Sequence, residues 1–161
     1  MLVVEDNVIF KSPLITINVN PVVYKCWLQH RQMNNSDTEQ FGVLIGSRLP
    51  GDGIFWIDKC TTPKAKDKSK RASFLMQDPF HQKMIDKEFK KSSGEMGYLG
   101  TWHTHPQSHP VPSGIDINDW LSCMVRNSDR LLLFVIVGQK QTNIYINLNN
   151  NFEIITRDNN G

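Results

Sequence analysis

Long apolar runs are absent from this 161-residue sequence. The longest, Leu131 to Val137, is the length of a strand and far short of the roughly 18 residues a membrane helix needs. The opening MLVVEDNVIFK has neither the basic start nor the apolar stretch of a signal peptide. Neither sign of charge dominates: 18 Lys and Arg against 16 Asp and Glu leave a net charge of +2, too small to predict a nucleic-acid or membrane partner. Cysteine is scarce. Cys26, Cys60 and Cys123 are odd in number and form no C-x-x-C, which argues against a disulfide scaffold and makes a reducing cytoplasm the expected location. Repeats and linkers are missing too, so one domain over 1–161 is expected. Against these absences, 39% hydrophobic and 21% charged residues are enough to build a core and exclude intrinsic disorder.

What is present is patterned. VVEDNVIF and LITINV read as extended segments rich in β-branched residues. Asn20-Pro21 predicts a helix start, because Asn can cap and Pro at the first helical position gives up an N–H that had no partner. Val22, Val23, Cys26 and Trp27 continue at helical spacing, and the helix is expected to end near Asn34-Asn35. QFGVLIGSR and IFWIDKC, separated by PGDG, predict a hairpin. TTPKAKDKSKR has no apolar period and predicts an exposed basic loop, followed by a short strand in ASFLM. Asp78-Pro79 opens a second predicted helix with Phe80, Met84, Ile85 and Phe89 as its apolar positions, ending near Ser92-Ser93-Gly94. EMGYLGTWHTH predicts a strand, and the spacing of Ile117, Trp120, Leu121 and Met124 predicts a helix over 114–126. RLLLFVIVG, TNIYINL and FEIIT close the chain as strands, the last two separated by an Asn-rich turn. The order predicts an α+β fold, an α/β-like sandwich with a mixed central sheet flanked by helices.

The chemistry concentrates in HTHPQSHPVPSGID. His103 and His105 lie two apart on a strand end, so both imidazoles face the same way and can reach one metal ion. Pro106 stops the strand ladder, and a Pro-rich turn leads to Ser113 and a helix whose first turn holds Asp116. Two His and one carboxylate suit Zn²⁺ with a fourth position open to water, the arrangement of a catalytic site. No Cys is close in sequence, although Cys60 or Cys123 could approach in space. The H-E-x-x-H pattern is missing, so a general base must come from elsewhere, and Glu39 before QFGVLIGS is the candidate. The H-x-E…P-C-x-x-C pattern of nucleobase deaminases is also missing.

H-x-H-P-x6-S-x2-D, spelled by His103, His105, Pro106, Ser113 and Asp116, resembles the JAMM signature of the JAB/MPN metallopeptidases. The pattern would arise by chance in roughly one chain of this length in 10⁵ at average residue frequencies. The upstream E-x-x-G of Glu39 and Gly42, followed by VLIG, is similar to that family's glutamate strand. YLGTWHTHPQSHPVPSGID with Trp120 further resembles the short bacterial JAB peptidases encoded beside E1-like and E2-like proteins in anti-phage operons, notably CBASS. The resemblance implies a single JAB/MPN domain of cytidine-deaminase-like architecture. It implies one zinc per chain held by His103, His105 and Asp116, with Glu39 activating the metal-bound water and protonating the leaving amine. Ser113 would hydrogen-bond the oxyanion. The implied substrates are target proteins joined to the C-terminus of a ubiquitin-like modifier or of a cGAS-like nucleotidyltransferase.

Each feature has a plainer reading. Ser113-x-x-Asp116 is also a helix cap with a favourable first-turn acid. His109 falls at a position the motif leaves free and is assigned no ligand role; His30, His81 and the cysteines are read as structural. Gly42 and Gly46 either leave room beside the water or permit a bulge. The basic stretch 63–71 is either a solvated loop or, as the resemblance implies, a contact for the substrate tail. The longer second insertion of some eukaryotic members is missing, which argues against a strict choice of polyubiquitin linkage. The alternatives are a deubiquitinase-like or precursor-processing enzyme of another conjugation operon, and a non-catalytic MPN scaffold.

Overall fold

All but two of the strands join one sheet, and that sheet closes on itself. The computed structural model describes residues 5–49 and 51–159. The elements run β1 (Val8–Lys11), β2 (Thr16–Val19), α1 (Pro21–Gln29), β3 (Phe41–Leu49), β4 (Ile54–Cys60), β5 (Lys68–Ser69), β6 (Phe74–Leu75), α2 (Phe80–Lys91), β7 (Gly97–Thr104), α3 (Gly114–Arg126), β8 (Leu133–Val137), β9 (Thr142–Leu148) and β10 (Asn151–Arg157). Val3 and Val4 of the first expected segment and Pro50 of the expected PGDG turn lie outside the described residues.

The strand order is β1-β10-β9-β8-β7-β3-β4-β2, and β1 pairs with β2 to complete a barrel. The expected α+β class and mixed sheet hold, since β7–β8 and β2–β4 are parallel and the other pairs antiparallel. The flanked sandwich is corrected: the sheet is a closed barrel. Strand twist favours curling, and β3 bends further at register shifts between Leu44, Ile45 and Gly46. The two glycines of β3 allow close approach. A Cβ on Gly42 would collide with the carbonyl of Thr61, and one on Gly46 with that of Trp56.

Two apolar layers sit on the two faces of this sheet. α1 packs Val23 and Trp27 into the larger core with Phe10, Ile17, Leu44 and Trp102. α3 lays Trp120 on Phe134, Tyr145 and Phe152. β8 serves both layers: Leu133, Val135 and Val137 face the first, Phe134 and Ile136 the second. That double burial explains its unbroken apolar run. Trp102 is fully buried and donates Nε1–H to Thr61 O at 2.8 Å, so truncating it would cost about 3–5 kcal/mol.

Two helices depart from expectation. α1 stops at Gln29, not at Asn34-Asn35, although Asn20 caps it and Pro21 begins it as predicted. The side chains that follow take over its last carbonyls: His30 Nδ1 lies 2.7 Å from Cys26 O and Arg31 Nε donates to Leu28 O at 2.9 Å. α2 has the predicted ends, but it buries His81 and Glu88 while Phe89 is 53% exposed. Both polar groups find partners. Glu88 pairs with Lys59 at 2.8 Å, and His81 bridges Thr61 and Asp67. A satisfied polar face can therefore be turned inward in place of the apolar one.

Candidate metal centre

The centre is built where β3 and β7 run side by side. Their antiparallel register sets Phe41 against His103, which brings Glu39 opposite His105 just beyond the paired residues. The pairing is extended by Thr104, whose hydroxyl accepts from Gln40 N–H and whose own N–H donates to Gln40 O, each at 2.9 Å. His105 N–H donates to Val137 O at 3.0 Å, so the chain stays on the sheet for one residue past β7. Pro106 then turns it outward.

The Pro-rich segment is tied to the β8–β9 turn. Gln107 O accepts from Gln139 N–H at 2.7 Å, and the buried Pro110 carbonyl accepts from Asn143 and Tyr145. This route delivers Ser113 to the start of α3 over the imidazoles. Ser113 and Asp116 form a reciprocal capping box: Asp116 N–H donates to Ser113 Oγ at 3.1 Å and Ser113 N–H to Asp116 Oδ2 at 2.8 Å. The cap fixes the carboxylate over the two histidines, so the plain and the functional readings of Ser113-x-x-Asp116 describe the same geometry. Ser113 itself is exposed, and a hydroxyl that accepts one bond still has its own proton to donate.

Four of the five expected site residues, Glu39, His103, His105 and Asp116, converge. His103 Nε2 and His105 Nε2 are 3.0 Å apart. Asp116 Oδ1 lies 3.2 Å from the first and Oδ2 3.0 Å from the second. Glu39 Oε1 stands 3.8 Å from His105 Nε2, beyond direct hydrogen bonding and within reach through one water. Glu39, His103 and His105 form a group whose potential ligand atoms all lie within 4.8 Å of one another. All four residues are buried. Neither Cys60, Cys123 nor His109 joins this group among the described residues.

The donor set fits zinc. Bonds of about 2.0–2.1 Å in a tetrahedron imply edges of about 3.3 Å between donor atoms, close to the spacings of the two Nε2 atoms and the Asp116 oxygens. Two imidazole nitrogens aimed at each other in a buried site need a shared proton or a cation between them. Gln107 Oε1, held by Val111 N–H at 3.1 Å, lies 3.3 Å from His105 Nδ1. Donation from Nδ1–H to that oxygen leaves the Nε2 lone pair for a metal.

The carboxylates are pushed in opposite directions. Burial drives Glu39 up to about 8; the His105 charge opposes this and the Asp116 charge adds to it. Burial would raise Asp116 as well, but hydrogen bonds from His103 and His105, the His103 charge and the Ser113 N–H together hold it well below the usual carboxylate range. Burial pushes His103 down against the pull of Asp116. It also opposes charge on His105, yet the hydrogen bond and charge of Asp116 and the charge of Glu39 carry that ring upward.

Sequence reasoning did not reach the groups that hold this centre in place. Thr104, Ser69, Lys70 and Phe74 act on it through contacts across the fold, and Gln107 acts on His105 from two residues away; no local pattern marks them. The stretch 61–71, expected as a free loop, carries β5 and pairs with β6 instead.

Comparison with known proteins places the sequence in a family. The family model described as prokaryotic homologs of the JAB domain matches residues 27–150. A Vibrio cholerae protein named CD-NTase/cGAS isopeptidase is 36% identical over 138 residues, covering 84% of this chain and 85% of that protein. A Pseudomonas aeruginosa protein of the same name is 37% identical over 121 residues, covering 74% of each chain. An Escherichia coli protein, again so named, is 36% identical over 111 residues, covering 69% of each. In fold, the chain is similar to the solution structure of protein DSY2949 from Desulfitobacterium hafniense, with a TM-score of 0.58, 20% identity and coverage of 86% and 88%. The resemblance read from the motifs thus extends over most of the sequence, and the chain belongs to the prokaryotic JAB-domain family.

Proposed function

We propose that this protein is a zinc isopeptidase, a single peptidase domain over 1–161, that releases target proteins from the C-terminus of a CD-NTase, the cGAS-like nucleotidyltransferase of bacterial defence. The observation that carries the reading is the convergence of His103, His105 and Asp116 with Glu39 beside them. The names of the relatives support the substrate class. The partners are then CD-NTase conjugates and the E1-like and E2-like proteins that make them, all in the cytoplasm. No described helix is long and apolar enough to cross a membrane.

His103, His105 and Asp116 would hold one zinc ion per chain. When bound, zinc supplies Lewis acidity, polarising a carbonyl and lowering the pKa of water to about 7. Glu39, 3.8 Å from His105 Nε2 and within reach of it through one water, takes the proton of the attacking water and delivers it to the leaving amine. Asp116 stays ionised and serves as a ligand. Ser113, exposed at the mouth of the centre, donates its hydroxyl proton to the carbonyl oxygen as negative charge develops there. The substrate tail lies extended; the main sheet closes on itself, so the small β5–β6 sheet is the one that offers an edge to its main-chain hydrogen bonds.

The test is cleavage of a fusion between the C-terminal segment of the neighbouring CD-NTase and a reporter, with the cut site read by mass spectrometry. A metal-dependent cut directly after the last CD-NTase residue is expected. A cut only after a ubiquitin-like modifier assayed in parallel would move the substrate to another conjugation operon. Cleavage of neither by the zinc-loaded protein would favour a scaffold.

A further inference from the structure

Glu39 lies ahead of β3, in an irregular stretch, and the sheet does not hold its backbone. The small β5–β6 hairpin does. Glu39 N–H donates to Lys70 O at 2.8 Å, and the Ser69 hydroxyl donates to Glu39 O in a short hydrogen bond. Both main-chain groups of the proposed base are thus gripped by consecutive residues of one hairpin. From its other strand, Phe74 stacks on Phe41 at 4.4 Å and 15° and leans over the His103 ring at 5.3 Å. The same few residues therefore contact the base, the strand that follows it and a proposed zinc ligand.

The hairpin is itself anchored on both sides. Before it, the Asp67 carboxylate accepts from the N–H groups of Lys64, Gln77 and Asp78 and pairs with His81 at 2.6 Å. At its turn, Arg71 O accepts from Gln32 Nε2 at 3.0 Å, while Gln32 Oε1 accepts from the hydroxyl of Thr104, the residue between the two histidines. A rigid frame therefore runs from α2 through the hairpin to β7, with Glu39 clamped inside it.

We infer that the β5–β6 hairpin is the positioning element for the general base, and that Ser69 is a positioning residue for the reaction through its hydroxyl bond to the Glu39 carbonyl. The inference rests on the isopeptidase reading for its kinetic consequence, though not for the clamp. A base displaced by about 1 Å loses much of its effect without any change in ligands or substrate contacts.

The experiment compares the zinc-loaded full chain with Ser69→Ala and Ser69→Thr. It measures turnover of the CD-NTase fusion, zinc stoichiometry and amide exchange at Glu39 by NMR. Ser69→Ala is expected to lower kcat about tenfold, with KM within about twofold, zinc still at one per chain, and Glu39 amide exchange about tenfold faster. Ser69→Thr, which keeps the hydroxyl, is expected to restore both kcat and protection. Unchanged kcat and exchange in Ser69→Ala would overturn the inference, as would a loss confined to KM, which would make the hairpin a substrate contact only. If the unsubstituted protein cleaves no fusion, the isopeptidase reading fails, and the exchange measurement alone decides the clamp: faster exchange upholds it, unchanged exchange overturns it.

Discussion

Among the described residues lie two buried clusters of histidine and carboxylate, and they differ in how their ring nitrogens are paired. In the first, both ring nitrogens of His81 are paired, Nδ1 with Thr61 Oγ1 and Nε2 with Asp67 Oδ2, each at 2.6 Å. Asp67 accepts three backbone N–H bonds besides. Donors and acceptors match, and the cluster is a closed structural joint between β4, α2 and the hairpin. In the second, two Nε2 atoms face each other 3.0 Å apart with the Asp116 oxygens at 3.2 and 3.0 Å and Glu39 at 3.8 Å, so the two rings need a shared proton or a cation between them. Burial alone does not distinguish them; the side chains of His81 and Asp67 are only 5% and 2% exposed. What sets the candidate metal centre apart is this pair of facing nitrogens, between which a cation would take the place of a shared proton.

That contrast can be broken at either cluster. The largest effect is expected for His103→Ala, which removes a donor from the open cluster: zinc is lost and turnover falls by about 10³-fold or more, read by metal analysis and the fusion assay. Next comes Asp67→Ala in the closed cluster. It strands His81 and three backbone N–H groups, so stability should fall by about 3 kcal/mol in denaturant unfolding, with zinc stoichiometry unchanged. Ser113→Gly sharpens the comparison within one residue. Gly keeps most of the capping preference, so stability drops by only a few tenths of a kcal/mol, whereas loss of the hydroxyl should lower kcat about 10²-fold.

The smallest effect, taken per pH unit, is a pH dependence. The folded value of Glu39 lies above its unfolded value, so the folded metal-free protein binds the extra proton and loses stability as pH rises from about 4.5 to about 8. Glu39→Gln removes that loss. Stripped of metal, the variant should gain about 3–5 °C in melting temperature over the unsubstituted protein for each pH unit climbed through that range, with no gap at its lower end.

Much of the centre was legible because its residues are close in sequence or lie at strand and helix positions with strong local signals. His103 and His105 share a strand face, and Ser113 with Asp116 is a capping pattern, so their meeting follows from period and cap alone. The predicted bounds of α3 and of β9 match for the same reason. Closure of the barrel was not legible, since the pairing of β1 with β10 joins the two ends of the chain. Nor was the inward face of α2, because His81 and Glu88 become acceptable inside only once Thr61, Asp67 and Lys59 arrive from elsewhere. The basic stretch reads as free because its Lys and Arg side chains are exposed while its backbone, Asp67 and Ser69 do the holding.

The central claim is that Glu39 moves protons while the other three groups hold metal. It is tested most directly by measuring zinc content and fusion cleavage on one preparation of Glu39→Gln beside the unsubstituted protein. One zinc per chain with turnover reduced about 10³-fold or more is the predicted result; cleavage at the unsubstituted rate, or loss of the zinc along with the activity, would contradict it.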